Sequence, residues 1–391
     1  MKTYEITAQD RLFFRDGRPF EAGVDHGAIS RPYLPGSVLY GALRSQLVLG
    51  TAAVGQEAAW INGSQNETPE KILAGSSDML GTLRIIGPWV KRSKEDLFPQ
   101  PADLWVVEDQ GIYHAYPFEK RVHWPGAKGT LDSLGLEPLF SSSDSKGKES
   151  RVYLTENQMH HYLLGEKIEP FKYESLYDFE EVEGIGLDRN CNSKTVIEGA
   201  LFGVRFLRPR VGVSWRFQAN LSGLEKGLSQ QRLLRLGGEG RVVELSIIDT
   251  SLPFEGIKKE LANRLGSRFK WVLLTPAFFG NEELNRPAWM PSWLRFDDED
   301  KHWIGQIPDI SVKVRLVSAA IPRVEWVSGW DMAKRCPKPS LPLTPAGSVF
   351  NFEILEGEMV QTLETLHFKC LSDHFVEAGY GLGIIGGIKD V

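Results

Sequence analysis

The fold is decided by two alternating stretches of the chain, Val196-Ile-Glu-Gly-Ala-Leu-Phe-Gly-Val-Arg-Phe-Leu207 and Val211-Gly-Val-Ser-Trp-Arg-Phe-Gln-Ala-Asn-Leu221. Apolar and polar residues alternate in both, which is the pattern of strands with one buried face. The turn-forming residues Arg208-Pro209-Arg210 lie between them. We therefore predict that the two stretches form a β-hairpin.

Neighbouring segments on both sides extend this hairpin into a longer pattern. Residues 226–236 predict a short helix, and Val242–Ile248 predicts a strand. Upstream, residues 2–8 predict a strand, and residues 37–49 carry apolar side chains at helical spacing, with Ser37 as the predicted N-cap. The order strand, helix, strand, strand, helix, strand is that of the βαββαβ ferredoxin-like unit.

The region between the first helix and the hairpin lacks a regular pattern. Residues from about 50 to 183 are rich in Gly, Pro and Ser, contain aromatic clusters, and end in an acidic run from Glu174 to Glu183. We therefore predict that they form a large irregular insertion in the first domain.

The C-terminal part of the chain shows a second, fainter cycle of the same kind. Its predicted elements are a helix at 256–265, strands at 270–275, 312–316 and 349–355, a helix at 359–371 and a strand at 384–388. A domain boundary is expected near 250–255. The predicted fold class is α+β, with two ferredoxin-like (RRM-like) domains over residues 1–252 and 253–391, the second ending in a glycine-rich loop.

Composition indicates a soluble globular protein of a reducing compartment. The 391 residues are 42% hydrophobic and 25% charged, which is ordinary for a globular chain of two domains. The cysteines, Cys191, Cys336 and Cys370, are odd in number and widely spaced, which argues against a disulfide framework. The N-terminus lacks an apolar signal segment, and no apolar stretch reaches spanning length. We expect a cytoplasmic protein with no membrane partner.

The charge of the chain is distributed unevenly. The net charge is −6, yet residues 189–241 contain ten Lys or Arg against three Asp or Glu, so this segment is +7 and the remainder is −13. Solvated edges of strands and helices explain such a segment. A basic face on an acidic body also suits a subunit that binds RNA on one side and other proteins elsewhere.

The sequence contains no pattern typical of a catalytic or metal centre. Its eight histidines have no metal-ligand spacing, and neither H-E-x-x-H, a Walker loop nor G-x-S-x-G occurs. We therefore predict no catalytic residues, no metal and no cofactor.

Two N-terminal motifs carry groups that bind phosphate. Arg15 and Arg18 flank the turn pair Asp16-Gly17 and match phosphate geometry, although a plain turn explains the same residues. Ser37 opens a helix whose free N–H groups attract anions, and Arg44 follows one or two turns later. An ordinary capped helix is the alternative.

Two glycine-rich segments are further candidates. The first is Gly237-Gly-Glu-Gly-Arg241, which is either the exit of a helix into a strand or a functional turn. The second is the terminal Gly379-Tyr-Gly-Leu-Gly-Ile-Ile-Gly-Gly387. It is either a tight structural turn or a loop whose backbone, without side chains, approaches a phosphate chain closely. The chain ends soon after, so the segment does not fit a dinucleotide-binding fingerprint. The candidate RNA contacts here are Gly238, Arg241, Gly381, Gly383 and Gly386.

These motifs, taken in order, carry a family resemblance over nearly the whole chain. The matching stretches are Leu12–Phe20, Ser37–Arg44, Gly186–Arg189, Glu198–Phe202, Gly237–Arg241, Leu274–Phe279, Gly329–Asp331, Pro345–Val349 and the terminal glycine-rich segment. The chain resembles the RAMP proteins of CRISPR systems, specifically the subunit of type III-B (Cmr) effector complexes that holds the 5′ handle of the CRISPR RNA (crRNA). It departs from the family pattern in having Pro35-Gly36 before Ser37.

The resemblance implies a non-catalytic role in a complex that cleaves target RNA through another subunit. It implies that the chain binds the crRNA 5′ handle, docks the large polymerase/cyclase-type subunit and neighbours the RAMP backbone subunits. The polar, turn-prone segment at about 184–198 predicts a projecting hairpin, the position of a thumb in related subunits, with a plain surface loop as the alternative. Its candidate RNA contacts are Leu187, Arg189 and Lys194.

Two rival functions stay open from the sequence. A metal-independent RAMP endoribonuclease that processes crRNA precursor would use a histidine as general base, and His26 lies near the first motif. A sugar- or peptide-binding module rests only on the aromatic-rich insertion.

Overall fold

The computed structural model describes ten ranges of the chain. They are residues 1–15, 27–51, 69–75, 80–119, 134–141, 148–186, 201–221, 232–280, 286–331 and 336–388. These ranges form a mixed α+β, strand-rich protein with few helices, which agrees with the predicted α+β class. No helix among them is both long and apolar enough to cross a membrane.

Five α-helices and twenty-five strands lie in the described ranges. The helices are α1 Gly36–Thr51, α2 Pro69–Ala74, α3 Glu156–Leu163, α4 Ile257–Arg264 and α5 Met359–Leu366. The first strands are β1 Lys2–Ala8, β2 Gly27–Ile29, β3 Ile85–Arg92, β4 Glu95–Pro99, β5 Leu104–Asp109, β6 Ile112–Glu119, β7 Phe140–Ser141, β8 Lys148–Glu149, β9 Tyr153–Thr155, β10 Tyr177–Gly186, β11 Leu201–Pro209 and β12 Val213–Ala219. The others are β13 Arg232–Arg235, β14 Val242–Ile248, β15 Arg268–Leu273, β16 Leu294–Asp297, β17 His302–Gln306, β18 Lys313–Ala320, β19 Glu325–Val327, β20 Trp330–Asp331, β21 Cys336–Pro337, β22 Leu341–Leu343, β23 Val349–Glu356, β24 Lys369–Cys370 and β25 Leu382–Gly387.

The chain divides into two compact units that interleave along the sequence. The first contains residues 1–93, 175–250 and 326–341, and the second contains the rest. The chain passes between units after Thr250, close to the predicted boundary. Residues 94–174, however, belong to the second unit, whereas we predicted them to lie within the first domain.

The first unit is built on an antiparallel sheet with the order β13-β14-β1-β12-β3. Its inner face is apolar because the strands alternate, so that Tyr4, Ile6, Trp215 and Phe217 are all almost fully buried. The strands β14, β1, β12 and β3 have the fourth-first-third-second order of a ferredoxin-like sheet. The full βαββαβ repeat stays a prediction, because residues 222–231 lie outside the described ranges.

Three sequence predictions for this unit are wrong. The second strand of the sheet is β3, inside the supposedly irregular insertion, and not residues 196–207. The predicted hairpin does not form, because β11 pairs with β10 and β2 while β12 pairs with β1 and β3. Residues 232–235 are a strand paired with β14, not the end of a helix, so Gly237–Arg241 is the turn of a strand hairpin.

The second unit contains a seven-stranded sheet with the order β16-β17-β18-β23-β15-β25-β24. Its strands β25, β15, β23 and β18 again follow the ferredoxin-like order, and α5 follows β23 as predicted. No helix lies between β15 and β18 in the described residues, so the full repeat stays a prediction here as well. Helix α5 ends at Leu366, earlier than predicted, because Phe368 has a φ of 62° and the chain then enters β24.

A buried histidine makes the second unit sensitive to acid. Burial, with the nearby Lys258, lowers the pKa of His367 from its ordinary 6.5 to about 4. Its Nδ1 accepts a hydrogen bond from the Ile385 N–H at 3.3 Å, so the neutral ring is the form that the fold holds. The unfolded chain therefore binds more protons between pH 6.5 and 4, and stability falls as the pH falls through this window.

Acid titration of His367→Asn tests this prediction. The asparagine keeps a side-chain oxygen that can accept from Ile385 but cannot titrate. We expect the wild type to lose up to about 1.4 kcal/mol of unfolding free energy per pH unit from this group, and the variant to show a correspondingly shallower slope between pH 6.5 and 4. Parallel slopes in urea denaturation would show that His367 does not titrate on unfolding.

Candidate nucleic-acid interface

The candidate interface is centred on the three-stranded sheet β10-β11-β2 of the first unit. The segment that follows β1 lies along β11, because the Leu12 N–H donates to the Leu207 carbonyl at 2.7 Å and the Leu207 N–H donates back at 2.8 Å. Further along, Arg15 pairs with Ser30 in an antiparallel bridge. The Arg15 side chain is exposed. The described part of the first motif, which ends at Arg15, thus lies along an edge of this sheet.

Two segments outside the described residues connect to strands at the same end of this sheet. Gly186 pairs with Leu201, so residues 187–200 connect the two ends of an antiparallel ribbon formed by β10 and β11. Gly27 pairs with Gly203, so residues 16–26 end two positions further along β11. Both segments therefore lead into the sheet near the N-terminal end of β11.

Five predicted or suspected site residues fall in these two segments. The predicted thumb at about 184–198 lies mostly outside the described residues and stays a prediction. The residues that lie outside the described ranges are His26, Arg18, Leu187, Arg189 and Lys194.

The ribbon has a small core of its own. Phe13, Ala28, Val204 and Phe206 are buried together, with Val182 packed against them. The rings of Phe13 and Phe206 meet edge to face at 5.7 Å between centroids. Apolar residues of the first motif therefore anchor the ribbon and its edge.

The glycine turn before β14 packs on the first motif. The Gly238 N–H donates to the Phe13 carbonyl at 2.9 Å. A Cβ on Gly238 would lie 2.8 Å from the Phe13 ring, and one on Gly237 would lie 2.5 Å from the Phe13 carbonyl oxygen. Glycine is thus required here for close backbone approach, and the Gly238 N–H is already used within the fold.

Arg241 is engaged inside the protein rather than presented to solvent. Its Nη1 lies 3.3 Å from Asp10 Oδ2, and its guanidinium carbon lies 4.7 Å from the centre of the Phe206 ring. Arg11 stacks on the same ring at 4.5 Å and pairs with Glu180. Sequence reasoning missed Arg11 and Phe206, whose only signal was their position beside the first motif and on an alternating strand.

The basic stretch is largely neutralised by acidic residues from elsewhere in the chain. The acidic run that we assigned to the insertion is strand β10, and it pairs directly with β11. The resulting ion pairs are Arg205–Glu181 at 3.6 Å, Arg208–Glu180 at 3.7 Å and Arg210–Asp178 at 2.8 Å. Hydrogen bonds from Arg210 lower the pKa of Asp178. The described part of residues 189–241 is therefore not an isolated basic face.

A further arginine of the basic stretch is held on the five-stranded sheet. Glu5 accepts from Arg216 Nε at 3.2 Å, from Lys91 Nζ at 2.9 Å and from the Ser214 hydroxyl at 2.9 Å. Burial alone would raise the pKa of Glu5, but these partners outweigh it, and the pKa is lowered. Arg216 is thus part of a polar cluster in the sheet.

The helix α1 offers less to an anion than predicted. It begins at Gly36, and the Pro35 carbonyl accepts from the Val38 N–H, so Ser37 is an exposed residue of the first turn and not the N-cap. Arg44 donates from Nε to the Ala74 carbonyl at 2.7 Å. This hydrogen bond satisfies one of the free carbonyl groups at the C-terminal end of α2.

The terminal glycines form a buried strand and not a loop. Gly381, Gly383 and Gly386 are buried in or beside β25, which lies between β15 and β24. A Cβ would meet the Leu371 carbonyl oxygen at 1.8 Å from Gly381, the Trp271 indole at 2.0 Å from Gly383 and Leu163 at 2.8 Å from Gly386. These glycines serve close packing in the second unit, so we no longer assign them to an RNA face.

Comparison with known proteins supports the resemblance found in the sequence. The family model described as CRISPR-associated protein (Cas_Cmr3) matches residues 4–388. The chain belongs to this CRISPR-associated family. Among curated proteins, no sequence matches the chain significantly.

Chains from type III CRISPR complexes are among the solved structures that resemble this chain. A chain of type III-B Cmr-beta bound to cognate target RNA has a TM-score of 0.50 and 15% identity, covering 90% of this chain and 86% of that chain. A chain of Cmr-beta bound to cognate target RNA and AMPPnP has a TM-score of 0.49 and 15% identity, covering 97% and 95%. A chain of a Csm3–Csm4 subcomplex has a TM-score of 0.37 and 11% identity, covering 91% and 94%. The first of these shows the fold of the chain, and the family model shows its family.

Proposed function

We propose that this chain is a non-catalytic subunit of a type III-B CRISPR RNA-guided RNA-targeting complex. In this proposal it binds the 5′ handle of the crRNA and docks the large polymerase/cyclase-type subunit, beside the RAMP backbone subunits. Membership of the Cas_Cmr3 family supports a role in such a complex. The observation that carries the RNA-binding part is the common edge of the β10-β11-β2 sheet, from which residues 16–26 and 187–200 both leave.

The chemistry of these two segments suits single-stranded RNA. They contain Arg18, Arg189 and Lys194, and Arg15 lies exposed at the entrance to the first segment. Cations that contact phosphates give binding that is independent of sequence and sensitive to salt. Leu187 supplies an apolar side chain of the kind that wedges between stacked bases. The proposed RNA face is therefore Arg15, Arg18, Leu187, Arg189 and Lys194, without Gly238, Arg241 or the terminal glycines.

The proposed docking of the large subunit rests on the family resemblance and on the acidic body of the chain. Residues outside 189–241 carry a net charge of −13. Protein partners are consistent with such a surface, because a strongly acidic body repels RNA except at local basic sites. Co-purification with the tagged chain tests this part directly. The proposal is refuted if the large subunit is not recovered with the tagged chain from the native complex.

An RNA cleavage assay tests the non-catalytic assignment. We expect the purified chain to bind a crRNA precursor but leave it intact, with or without Mg²⁺, because no group in the proposed interface is assigned as acid, base or nucleophile. Binding is measured by fluorescence anisotropy and cleavage on denaturing gels. Specific cleavage that disappears in His26→Ala would replace this function with that of a metal-independent endoribonuclease.

Replacing Leu187–Thr195 with a Gly-Ser linker tests the thumb. We expect the melting temperature to stay nearly unchanged, because the ribbon pairs outside this segment. The boundary between handle and guide is expected to shift by at least one nucleotide in chemical probing of the assembled complex, since the wedge that offsets an unstacking cost of a few kcal/mol is gone. The control is the same replacement of residues 142–147, a polar segment of the second unit. An unaltered pattern at the boundary would make residues 187–195 a plain loop.

A further inference from the structure

Two arginines stack on one buried phenylalanine at the root of the ribbon. The guanidinium carbons of Arg11 and Arg241 lie 4.5 Å and 4.7 Å from the centre of the Phe206 ring. The ring is 1% exposed, whereas the two arginine side chains are 23% and 22% exposed. Cation–π contacts strengthen as the cation loses water, so both contacts lie in the range where they stabilise a structure.

Each arginine is also paired with a carboxylate, and each has a buried Nε. Arg11 pairs with Glu180 on β10, and Arg241 pairs with Asp10. The Nε atoms of both arginines are buried and have no hydrogen-bond partner in the described part of the chain. Each guanidinium therefore combines one carboxylate partner with the Phe206 ring.

The stack joins chain segments that belong to two different sheets. Phe206 lies on β11, in the ribbon, whereas Arg241 immediately precedes β14 of the five-stranded sheet. Arg11 follows β1 of that same sheet and reaches Glu180 on β10 of the ribbon. All of these residues lie within the first unit.

We infer that Arg11, Phe206 and Arg241 form a clamp that fixes the orientation of the β10–β11 ribbon on the five-stranded sheet, including the ribbon's end at Gly186 and Leu201. The chain passes from the ribbon to the five-stranded sheet between β11 and β12, over residues 210–212. The clamp lies near this connection and joins the ribbon to the chain after β1 and before β14. Arg241 is accordingly a positioning residue, and its effect on RNA, which rests on the proposed function, is transmitted through the ribbon.

Hydrogen exchange of the free, full-length protein tests the clamp without RNA. In the double variant Arg11→Ala/Arg241→Ala, we expect amides of β10, β11 and β2 to exchange at least about tenfold faster, while those of β1 and β12 keep their protection. The matched control is Arg210→Ala, which removes an exposed ion pair with Asp178 from the same ribbon. Unchanged exchange in the double variant overturns the clamp, and so does an equal rise in both sheets.

Two single variants separate stacking from ion pairing. Arg241→Lys keeps a cation for Asp10 but loses the planar group that stacks on Phe206, so it should resemble Arg241→Ala. Asp10→Asn removes only the carboxylate charge and should behave like the wild type. The opposite result would be wild-type exchange of the ribbon amides in Arg241→Lys and faster exchange in Asp10→Asn. That result would assign the effect to the ion pair and contradict the clamp.

Probing of bound RNA connects the clamp to function. With a synthetic single-stranded RNA carrying the 5′ end of the co-purified species, the double variant should blur the boundary of protection that the wild type shows, with affinity reduced less than tenfold. A boundary as sharp as in the wild type would overturn the positioning role. If the wild type itself binds no RNA, the proposed function fails, whereas the exchange result still decides whether the clamp exists.

Discussion

Asp103→Ala is expected to lower the free energy of unfolding by about 3–5 kcal/mol, because it leaves a buried lysine without its counter-ion. Asp103 is 3% exposed and Lys270 is 8% exposed, and the Lys270 Nζ lies 3.1 Å from Asp103 Oδ2. The Tyr162 hydroxyl donates to the other carboxylate oxygen, and Lys270 Nζ lies 4.2 Å from the Tyr162 ring centre. Burial, together with Asp103, raises the pKa of Tyr162, so the phenol stays a donor.

Urea denaturation followed by tryptophan fluorescence measures this loss. The control is Glu356→Ala, which breaks an exposed ion pair with Lys313 and should cost less than about 1 kcal/mol. The double variant Asp103→Asn/Lys270→Met removes both charges and should lose less than the sum of its single variants. A loss below about 1 kcal/mol in Asp103→Ala would mean that the pair is hydrated and not part of the core.

Gly381→Ala is expected to destabilise the second unit by about 2–4 kcal/mol through strain and overpacking. Gly381 has a φ of +74°, and an added Cβ would lie 1.8 Å from the Leu371 carbonyl oxygen. The backbone cannot move away easily, because the Gly381 N–H donates to Pro276 at 2.7 Å and its carbonyl accepts from Leu371 at 2.8 Å. The same change should leave the β10–β11 ribbon of the first unit protected in hydrogen exchange.

Gly41→Ala is the matched control for this substitution. Gly41 is exposed in the helix α1, and nothing lies within 4 Å of a Cβ added there. Alanine should therefore stabilise the helix by about 0.5–1 kcal/mol. If Gly381→Ala were as mild as this control, the terminal glycines would not be packing residues, and the idea of an open loop would return.

Periodicity predicted elements well where a single strand or helix was long and regular. Strands at 2–8, 242–248 and 349–355 and helices at 37–49 and 256–265 all occur close to their predicted positions. Pairing could not be predicted in the same way, because it depends on partners distant in sequence. The partners of β12 are β1 and β3, and β3 contains Gly87 and Pro88, which weaken a strand pattern.

The candidate site was harder to predict than the fold, because charge and glycine content do not specify what a residue touches. The segment 189–241 is +7 by sequence, yet β10 brings Asp178, Glu180 and Glu181 against it. Glycines suit both phosphate loops and crowded strands, and only the positions of Trp271 and Leu371 distinguish the two here. The sequence predicted phosphate contacts for the first motif, whereas the packing of Phe13 in the ribbon depends on Phe206, which is distant in sequence.

Because β3 lies within the predicted insertion, deletion of that insertion is not a usable way to map partners. Removing residues between 63 and 167 would delete β3 from the first unit together with Asp103 and α3 from the second. Such a variant would lose core strands of both units. Partner mapping should therefore use point substitutions at exposed side chains, for which Trp326, 65% exposed, is a suitable first choice.

Sequencing the RNA that co-purifies with the native, tagged chain tests the central claim most directly. Our account predicts a population dominated by short RNAs that share one common 5′ segment, protected from nuclease where they meet this subunit. Replacing Leu187–Thr195 should keep that RNA in the complex while changing its protected boundary. Recovery of no RNA, or of cellular RNA fragments without a common 5′ end, would contradict the account.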